Sequence, residues 1–599
     1  MRNKKPLLIG SLSGVILLYF GVIGGAAAQG IIYANNPVTY TLGQTIAANT
    51  ASCTGTLSNV SITPVLPDGM TIDPTSGTIS GLPTEIYNST AYTVSAQCSA
   101  TPVTGVLTLG IGDALTAYYV DDVNGNDSND GHTPGTAWQT VNMVNITPLG
   151  PNTSVRFKRG GIWRQQLNMQ SGSPAGAIYY DAYGTGPKPA LMGSVNAADP
   201  SDWTALGGNL WQSVATFPPM PGYTNGLPYG NANDVGNFLW GSDPNIGVGV
   251  EKLTQSDLQN PADWFFNTTN WTVVVYSVTN PATAFPALEL AIDRYLVQIN
   301  NESYAYLQNF SLLYGAASAI EGNGVLTSYC TFRDLDVSYI GGGNLGGSGT
   351  RYGAGITFWG NAHDIVVERN RVWQVYDSGI TNQAFSSTGN IISVHNLIYR
   401  NNVVWNASIS FEIWVAQTDN STGATMHDIY VLNNTASNPA SWKATQNAPT
   451  GTGGIAVSIG SSPAIAVSNI AVANNAFADF ASTAIELTTF SWEQGETTVD
   501  YNDWFHQGLI QAYQFTPPLA EPFTTWAANF PAEQHGIEAD PLFVNLSTGD
   551  FHLGAGSPLI GAGVNLTNEG VGVVLDFDRN PRPATGGFDI GAYQYIPAP

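Results

Sequence analysis

IVVERNRV (365–372), LIYRNNVV (397–404), IYVLNNTA (429–436) and IAVANNAF (470–477) are four copies of one pattern, apolar–x–apolar–x–x–Asn–x–apolar. VDYNDWF (499–505) is a shortened copy, and LQNFSL (307–312) and FRDLDV (332–337) are earlier ones with an apolar residue in place of Asn. The repeated position runs Phe310, Leu335, Asn370, Asn402, Asn434, Asn475, Asn502, at spacings of 25 to 41 residues. Alternation inside each copy marks a strand with one buried face, and the fixed Asn marks a bend. Strands this short bury an apolar face only by stacking coil on coil, which makes a solenoid. An inward Asn at every bend has a physical reason. Its amide bonds the bend backbone and the Asn of the next coil, so no buried polar group goes unpaired.

The pattern resembles the right-handed parallel β-helix of the pectate-lyase-like superfamily, with its asparagine ladder. The resemblance implies an all-β, single-stranded solenoid over 118–599. The opening YYVDDVNGNDSNDGHTPGTAWQTV (118–141) resembles the entry segment of many secreted β-helix proteins, including polysaccharide lyases and hydrolases. The ending ADPLFVNLSTGDFHLGAGSPLIGAGVN (539–565) with DFDRNPRPATGGFDIGAYQY (576–595) resembles their closing segment. Residues 539–599 are therefore expected to cap the solenoid end, with Asp576, Asp578, Arg579, Arg582 and Asp589 as an ion-pair knot. Residues 200–300 break the coil pattern with aromatic strands and resemble an inserted β-subdomain. Trp264 and Trp271 in that insert are expected to be packing residues.

Upstream, LPDGMTIDPTSGTISGLPT (66–84) and AYTVSAQC (91–98) resemble small bacterial immunoglobulin-like modules. The division expected is a signal peptide (1–28), an Ig-like β-sandwich (29–99), a linker (100–117) and the β-helix (118–599). The leader has three early basic residues, an apolar run and Ala26-Ala27-Ala28 before Gln29, which reads as export with cleavage after Ala28. Cys53 and Cys98 share the Ig-like segment of an exported chain, and a disulfide between them is expected; Cys330 falls on a coil strand as a buried small residue.

With 66 Gly and 35 Pro in 599 residues and only 10% charged, the composition suits a turn-rich extracellular β protein. A formal net charge of −25 argues against nucleic acid as partner. No later stretch reads as a membrane-spanning helix, and the expectation is a monomer that meets an extracellular polysaccharide. Asp121, Asp127 and Asp130 lie among glycines near the coil entrance, where they either ligate Ca²⁺ or make Asx-turns.

Two outward faces carry charge. Arg333, Glu368 and Arg400 share a column, as do Asp336 and Arg371, which reads as a ladder of surface ion pairs. On another face GITFW (355–359), GITNQ (379–383), SFEIW (410–414), GIAVS (454–458) and AIELT (484–488) align. One outward column is then Glu321, Thr357, Thr381, Glu412, Ala456, Glu486, and the next is Asn323, Trp359, Gln383, Trp414, Ser458, Thr488. Carboxylates beside tryptophans on a flat sheet suit polysaccharide recognition and proton transfer. Glu412, Glu486 and Asp377 are the candidate catalytic residues; Trp359, Trp414, Gln383, Thr381 and Arg351 are the candidate substrate contacts. Glu412 and Glu486 are two coils apart, roughly 9–10 Å, at the upper edge of the roughly 6.5–9.5 Å of an inverting glycosidase pair. A polysaccharide lyase is the other enzymatic reading, and a non-catalytic adhesin or glycan binder is the alternative of a different class.

Overall fold

In the computed structural model, the described residues are 30–597 apart from 68, 84–86, 113–114, 219–234, 243–244, 293, 345–350, 387–389, 418–422, 438–453, 463–464, 481–482, 489–496, 506–509, 514–518, 530–532, 568–570 and 572. The expected signal peptide lies outside them. The chain divides into two units, up to Asp113 and from Ala114. Among the described residues no helix is long and apolar enough to cross a membrane.

The first unit is an Ig-like β-sandwich. Its main sheet orders Val38–Thr41, Thr101–Gly112, Tyr87–Cys98 and Leu57–Thr63. A disulfide joins Cys53 to Cys98. Asp73 and Gly77 make the tight turn between Met70–Ile72 and Ile79–Gly81: Asp73 Oδ1 accepts from the Thr75 and Ser76 amides, and Gly77 takes φ +69°. The expected linker at 100–117 is not one. Thr101–Gly112 runs antiparallel to Tyr87–Cys98 and parallel to Val38–Thr41, in the middle of the sheet. Its Thr and Gly content reads as a spacer, yet Val103, Leu107, Leu109 and Ile111 keep the two-residue alternation and are buried.

The second unit is a right-handed parallel β-helix whose coils have three faces. Face one holds Val297–Ile299, the start of Ile320–Arg333, the start of Ile356–Glu368, then Ser378–Ser386, Ile409–Gln417, Ile455–Ser461 and Thr483–Thr488. Face two holds the second halves of the two long strands, followed by Ser393–Arg400, Thr425–Leu432, Ala466–Ala473 and Thr497–Asp500. Face three runs from Ile162–Trp163 to Asp503–Phe505. Inward side chains of all three merge into one apolar core, which the helix Val141–Ile146 enters at one end through Val141 and Val144 and Phe523 at the other.

The bends explain the repeat. Asp334, Arg369, Asn401, Asn433 and Asn474 all take φ of about +50° to +57°, a conformation that Asn and Asp tolerate best. The next residue in each coil is the ladder position. Asn370, Asn402, Asn434, Asn475 and Asn502 are fully buried. Each amide oxygen from Asn402 onward accepts both the backbone N–H and Nδ2 of the preceding Asn at 2.8–3.1 Å. Each Nδ2 also donates to a strand carbonyl, such as that of Tyr399 at 2.8 Å from Asn434. The ladder ends on Glu533, whose carboxylate takes the Asn502 amide at 2.7 Å and the Trp504 indole at 2.7 Å.

The insert forms two antiparallel-rich sheets between Ser194–Asn196 and Glu289–Ile292, with Trp264 buried in its core and Trp271 packed against it. The carboxy-terminal residues do not close the open end as expected. Val571, Val573 and Phe588 pack on Leu432 and Ala473, and Ala592 and Tyr593 pack on Val403, so this segment lies along the flank of the coils. The expected knot forms in part: Asp576 and Asp589 favour the charge of the buried Arg582 guanidinium. Arg579 pairs with Asp334, Asp578 with His552, and Arg582 donates to Asn401 Oδ1 and the carbonyls of Asp589, Gly591 and Ala592. The charges hold the strap to itself and, through Arg579 and Arg582, to the coils.

Candidate functional site

Strand register on face one lines up two outward columns of side chains. Glu321 pairs with Thr357, Thr357 with Thr381, Thr381 with Glu412, Glu412 with Ser458 and Ser458 with Glu486. The neighbouring column is Asn323, Trp359, Gln383, Trp414, Gly460 and Thr488. Both match the sequence alignment except on Ile455–Ser461, where the true register is two residues further along. Ser458 stands where Ala456 was expected and Gly460 where Ser458 was. A two-residue slip keeps the same side chains outward, so the facing survives.

Glu412 is half-buried, and three donors converge on its Oε2: Ser378 Oγ at 2.5 Å, Gln383 Nε2 at 2.9 Å and Thr381 Oγ1 at 3.3 Å. Thr381 is fully buried, so the carboxylate sits on a rigid base. Beside it Trp414 is 37% exposed and Phe385 48% exposed, their rings parallel within 4° at 6.3 Å between centroids. Trp359 is half-buried in the same column as Gln383. The arrangement offers flat aromatic faces next to a hydrogen-bonded carboxylate. Glu486 lies two rungs from Glu412 by backbone register; its side chain is outside the described residues.

Asp377 sits in the turn immediately before Ser378–Ser386, its amide bonded to the Gly353 carbonyl. Burial pushes its carboxyl above the ordinary range, against a hydrogen bond from the Ser378 amide. At the head of the column, burial pushes Glu321 up to about 8, with Ser318 as its hydrogen-bond partner. Three of these features escaped the sequence reading: Ser378 as a partner of Glu412, Phe385 as an exposed ring, and Glu321 as a proton-holding acid. The period-two pattern of SGITNQAFS was the signal for Phe385, since residues 381, 383 and 385 share a face.

Arg351 does not contact the groove. Its guanidinium is buried, pairing with Glu251 at 3.1 Å, donating to the carbonyls of Gly342 and Gly236, and lying 4.6 Å over the Tyr376 ring. It ties the insert to the coils. The arginine column is not a surface ladder either. Arg333, Glu368 and Arg369 are buried, with Glu368 paired to Arg400 at 2.7 Å and Arg369 to Asp334 at 3.0 Å under the strap. Burial alone would raise Glu368, yet Arg400, Arg369 and Arg333 together hold it down at about 2.

The Asp121, Asp127 and Asp130 cluster resolves as turns. Asp121 takes the Val123 and Asn124 amides and pairs with Lys158 at 2.6 Å. Asp127 takes the Gln139 and Thr140 amides and the Thr140 hydroxyl. Asp130 takes the His132 amide and the Thr136 hydroxyl. These bonds turn the carboxylates toward separate backbone segments, which does not fit a Ca²⁺ cage of converging oxygens.

Residues 22–111 match the family model described as Putative Ig domain. The first unit is thus an immunoglobulin-like module. No curated protein matches the chain. Among solved structures, a GH136 lacto-N-biosidase from Eubacterium ramulus is 14% identical over 65% of this chain and 55% of its own, with a TM-score of 0.39. This chain therefore spans just over half the length of that protein. A structure described as a glycoside hydrolase is 10% identical over 73% of this chain and 99% of its own, with a TM-score of 0.43. A family 28 exopolygalacturonase from Yersinia enterocolitica is 11% identical over 80% and 95%, with a TM-score of 0.28.

Proposed function

We propose that this protein is an exported carbohydrate-active enzyme that hydrolyses a polysaccharide in the groove of face one. The observation that carries this reading is Glu412, held by Ser378, Thr381 and Gln383 beside the exposed, parallel rings of Trp414 and Phe385. Sugar rings present flat C–H faces that stack on such aromatics. Hydrolysis of a glycosidic bond needs one carboxylic acid to protonate the leaving oxygen and one carboxylate to activate water or attack the sugar. Glu412, fixed by donors, serves as the carboxylate. Asp377, whose carboxyl burial raises above the ordinary range, serves as the acid. Glu486, roughly 9–10 Å away by rung spacing, is the competing partner at the inverting separation.

Elimination would need a base at the sugar α-carbon and a cation to neutralise a uronate. Among the described outward residues of face one, the Glu412 and Trp414 columns contain no Lys, Arg or His, which favours hydrolysis. The test is incubation of the mature protein with neutral and uronic-acid polysaccharides, following new reducing ends and the ultraviolet absorbance of an unsaturated uronide. Reducing ends alone, lost in Glu412→Gln with binding retained, support the proposal. Both signals together assign elimination. Silence across the panel, with binding that depends only on Trp414 and Phe385, makes the protein a surface glycan binder.

A further inference from the structure

On face two, away from the groove, His363, His395 and His427 stand in register on consecutive rungs, between Ser328 and Ser468. Their rings stack at 4.8 and 4.9 Å, within 9° and 13° of parallel. The residue after each histidine, Asp364, Asn396 or Asp428, takes a positive φ of 51° to 56°. That bend folds each acidic side chain back onto its own histidine: His363 Nδ1 meets Asp364 Oδ2 at 2.7 Å, and His427 Nδ1 meets Asp428 Oδ2 at 2.7 Å. Asn396 Nδ2 donates to the other oxygen of Asp364 at 2.5 Å and fixes the carboxylate. One ligand atom each from His363, Asp364 and His395 lies within 4.8 Å of the others, and all three residues are half-buried.

We propose that His363, Asp364 and His395 form a binding site for a divalent transition-metal ion of the zinc, nickel or copper class. Two imidazoles and one carboxylate are the donor set those ions take, whereas Ca²⁺ and Mg²⁺ prefer oxygen alone. Beside the Asp364 carboxylate, the His363 ring donates from Nδ1. When the ion binds, the ring proton shifts through solvent from Nδ1 to Nε2, and the freed Nδ1 lone pair, Asp364 Oδ2 and a ring nitrogen of His395 bond the ion, with water completing the coordination. Metal–ligand bonds of about 2.0–2.2 Å require the two rings to tilt inward from their parallel stack. His427 and Asp428 repeat the pair on the next rung. The site pins adjacent coils together and is separate from the hydrolytic groove.

His552 shows the contrast. Both of its nitrogens are taken, by Asp550 at 2.6 Å and Asp578 at 2.7 Å, and these partners raise it to about 9 despite burial. It is a cation without a lone pair.

The test is calorimetric titration of ZnCl₂ into the chelator-stripped mature protein. The expected result is saturable binding. Affinity should fall at least tenfold in both His395→Ala and Asp364→Asn, and stay unchanged in His552→Ala. Metal-free thermal unfolding of each variant separates loss of a ligand from loss of fold. Absence of saturable binding by the wild type overturns the proposal. So does wild-type affinity in either His395→Ala or Asp364→Asn.

Discussion

Glu412 illustrates how a single position acquires chemistry from its rung neighbours. A lone surface glutamate is an ordinary solvated acid; this one accepts from Ser378, Gln383 and Thr381 on adjacent strands. Glu412→Gln is expected to lower kcat on the cleaved polysaccharide by roughly 10²–10⁴-fold while leaving the dissociation constant for a bound oligosaccharide nearly unchanged. Equal losses in both would mean that the residue only shapes the surface. Glu321 makes a different prediction. Its carboxyl is raised from 4.5 to about 8 in the folded protein, so the folded state holds a proton that the unfolded chain gives up. The stability it lends is full below about pH 4.5 and is lost as pH rises toward 8. In that window the loss approaches roughly 1.4 kcal/mol per pH unit. Glu321→Gln should remove this slope, so the stability difference between variant and wild type, read from urea midpoints, should shift in favour of the variant from pH 5 to 8. A difference that stays constant with pH would show that Glu321 is ionised in the fold. At this scale the sequence carried the column memberships of Thr381, Glu412 and Trp414, because alternation alone decides which side chains share a face. It did not carry the engagement of Arg351 or the pairing of Asp121 with Lys158, since those depend on segments folded in from elsewhere in the chain.

The coil is the element in which sequence and structure agree most closely. One Asn per coil was legible because a buried amide at a bend has only a few partners to choose from, and the next coil supplies them. The left-handed residue preceding each ladder Asn, such as Arg369, Asn401, Asn433 or Asn474, carries no repeated residue type; its backbone conformation follows from the bend itself. What the repeat did not reveal was its terminus, because Glu533 lies outside the pattern and reaches Asn502 from a later segment. Removing one interior rung tests how the ladder works. Asn434 accepts two bonds from Asn402 and donates to Tyr399 and Asn475. Asn434→Ala leaves these dry partners unmatched, each worth about 1–3 kcal/mol. The variant should lose roughly 3–5 kcal/mol of solenoid stability. Hydrogen exchange should show the loss concentrated in the Asn402 and Asn434 coils. A loss under about 1 kcal/mol would mean that water enters and replaces the amide.

For the whole molecule, the informative mismatch is the carboxy-terminal segment. Its motif resembles a closing segment, and an open solenoid end needs a cap, yet here the segment runs along the side of the coils. It meets Asp334 through Arg579, Arg400 through the Val571 carbonyl, Asn433 through the carbonyls of Asp589 and Gly591, and Asn474 through Val564. Sequence reading grouped its charges together because they are close along the chain, but Arg582 and Arg579 also reach partners 181 and 245 residues away. The consequence concerns cooperativity. A bare solenoid couples each coil only to its neighbours and unfolds piecemeal. A strap bonded to coils from Asp334 to Asn474 couples them all at once. Arg582 is its most engaged residue, buried and donating to Asn401, Asp589, Gly591 and Ala592. In Arg582→Met the stem still packs near Phe588, but the charged donors are gone, at a cost of about 3 kcal/mol or more. The specific expectation is a broader urea transition of the solenoid with a lower m-value, since coils released from the strap unfold in smaller steps. A transition that moves to lower urea without broadening would place the strap's contribution in stability alone and leave the cooperativity to the asparagine ladder.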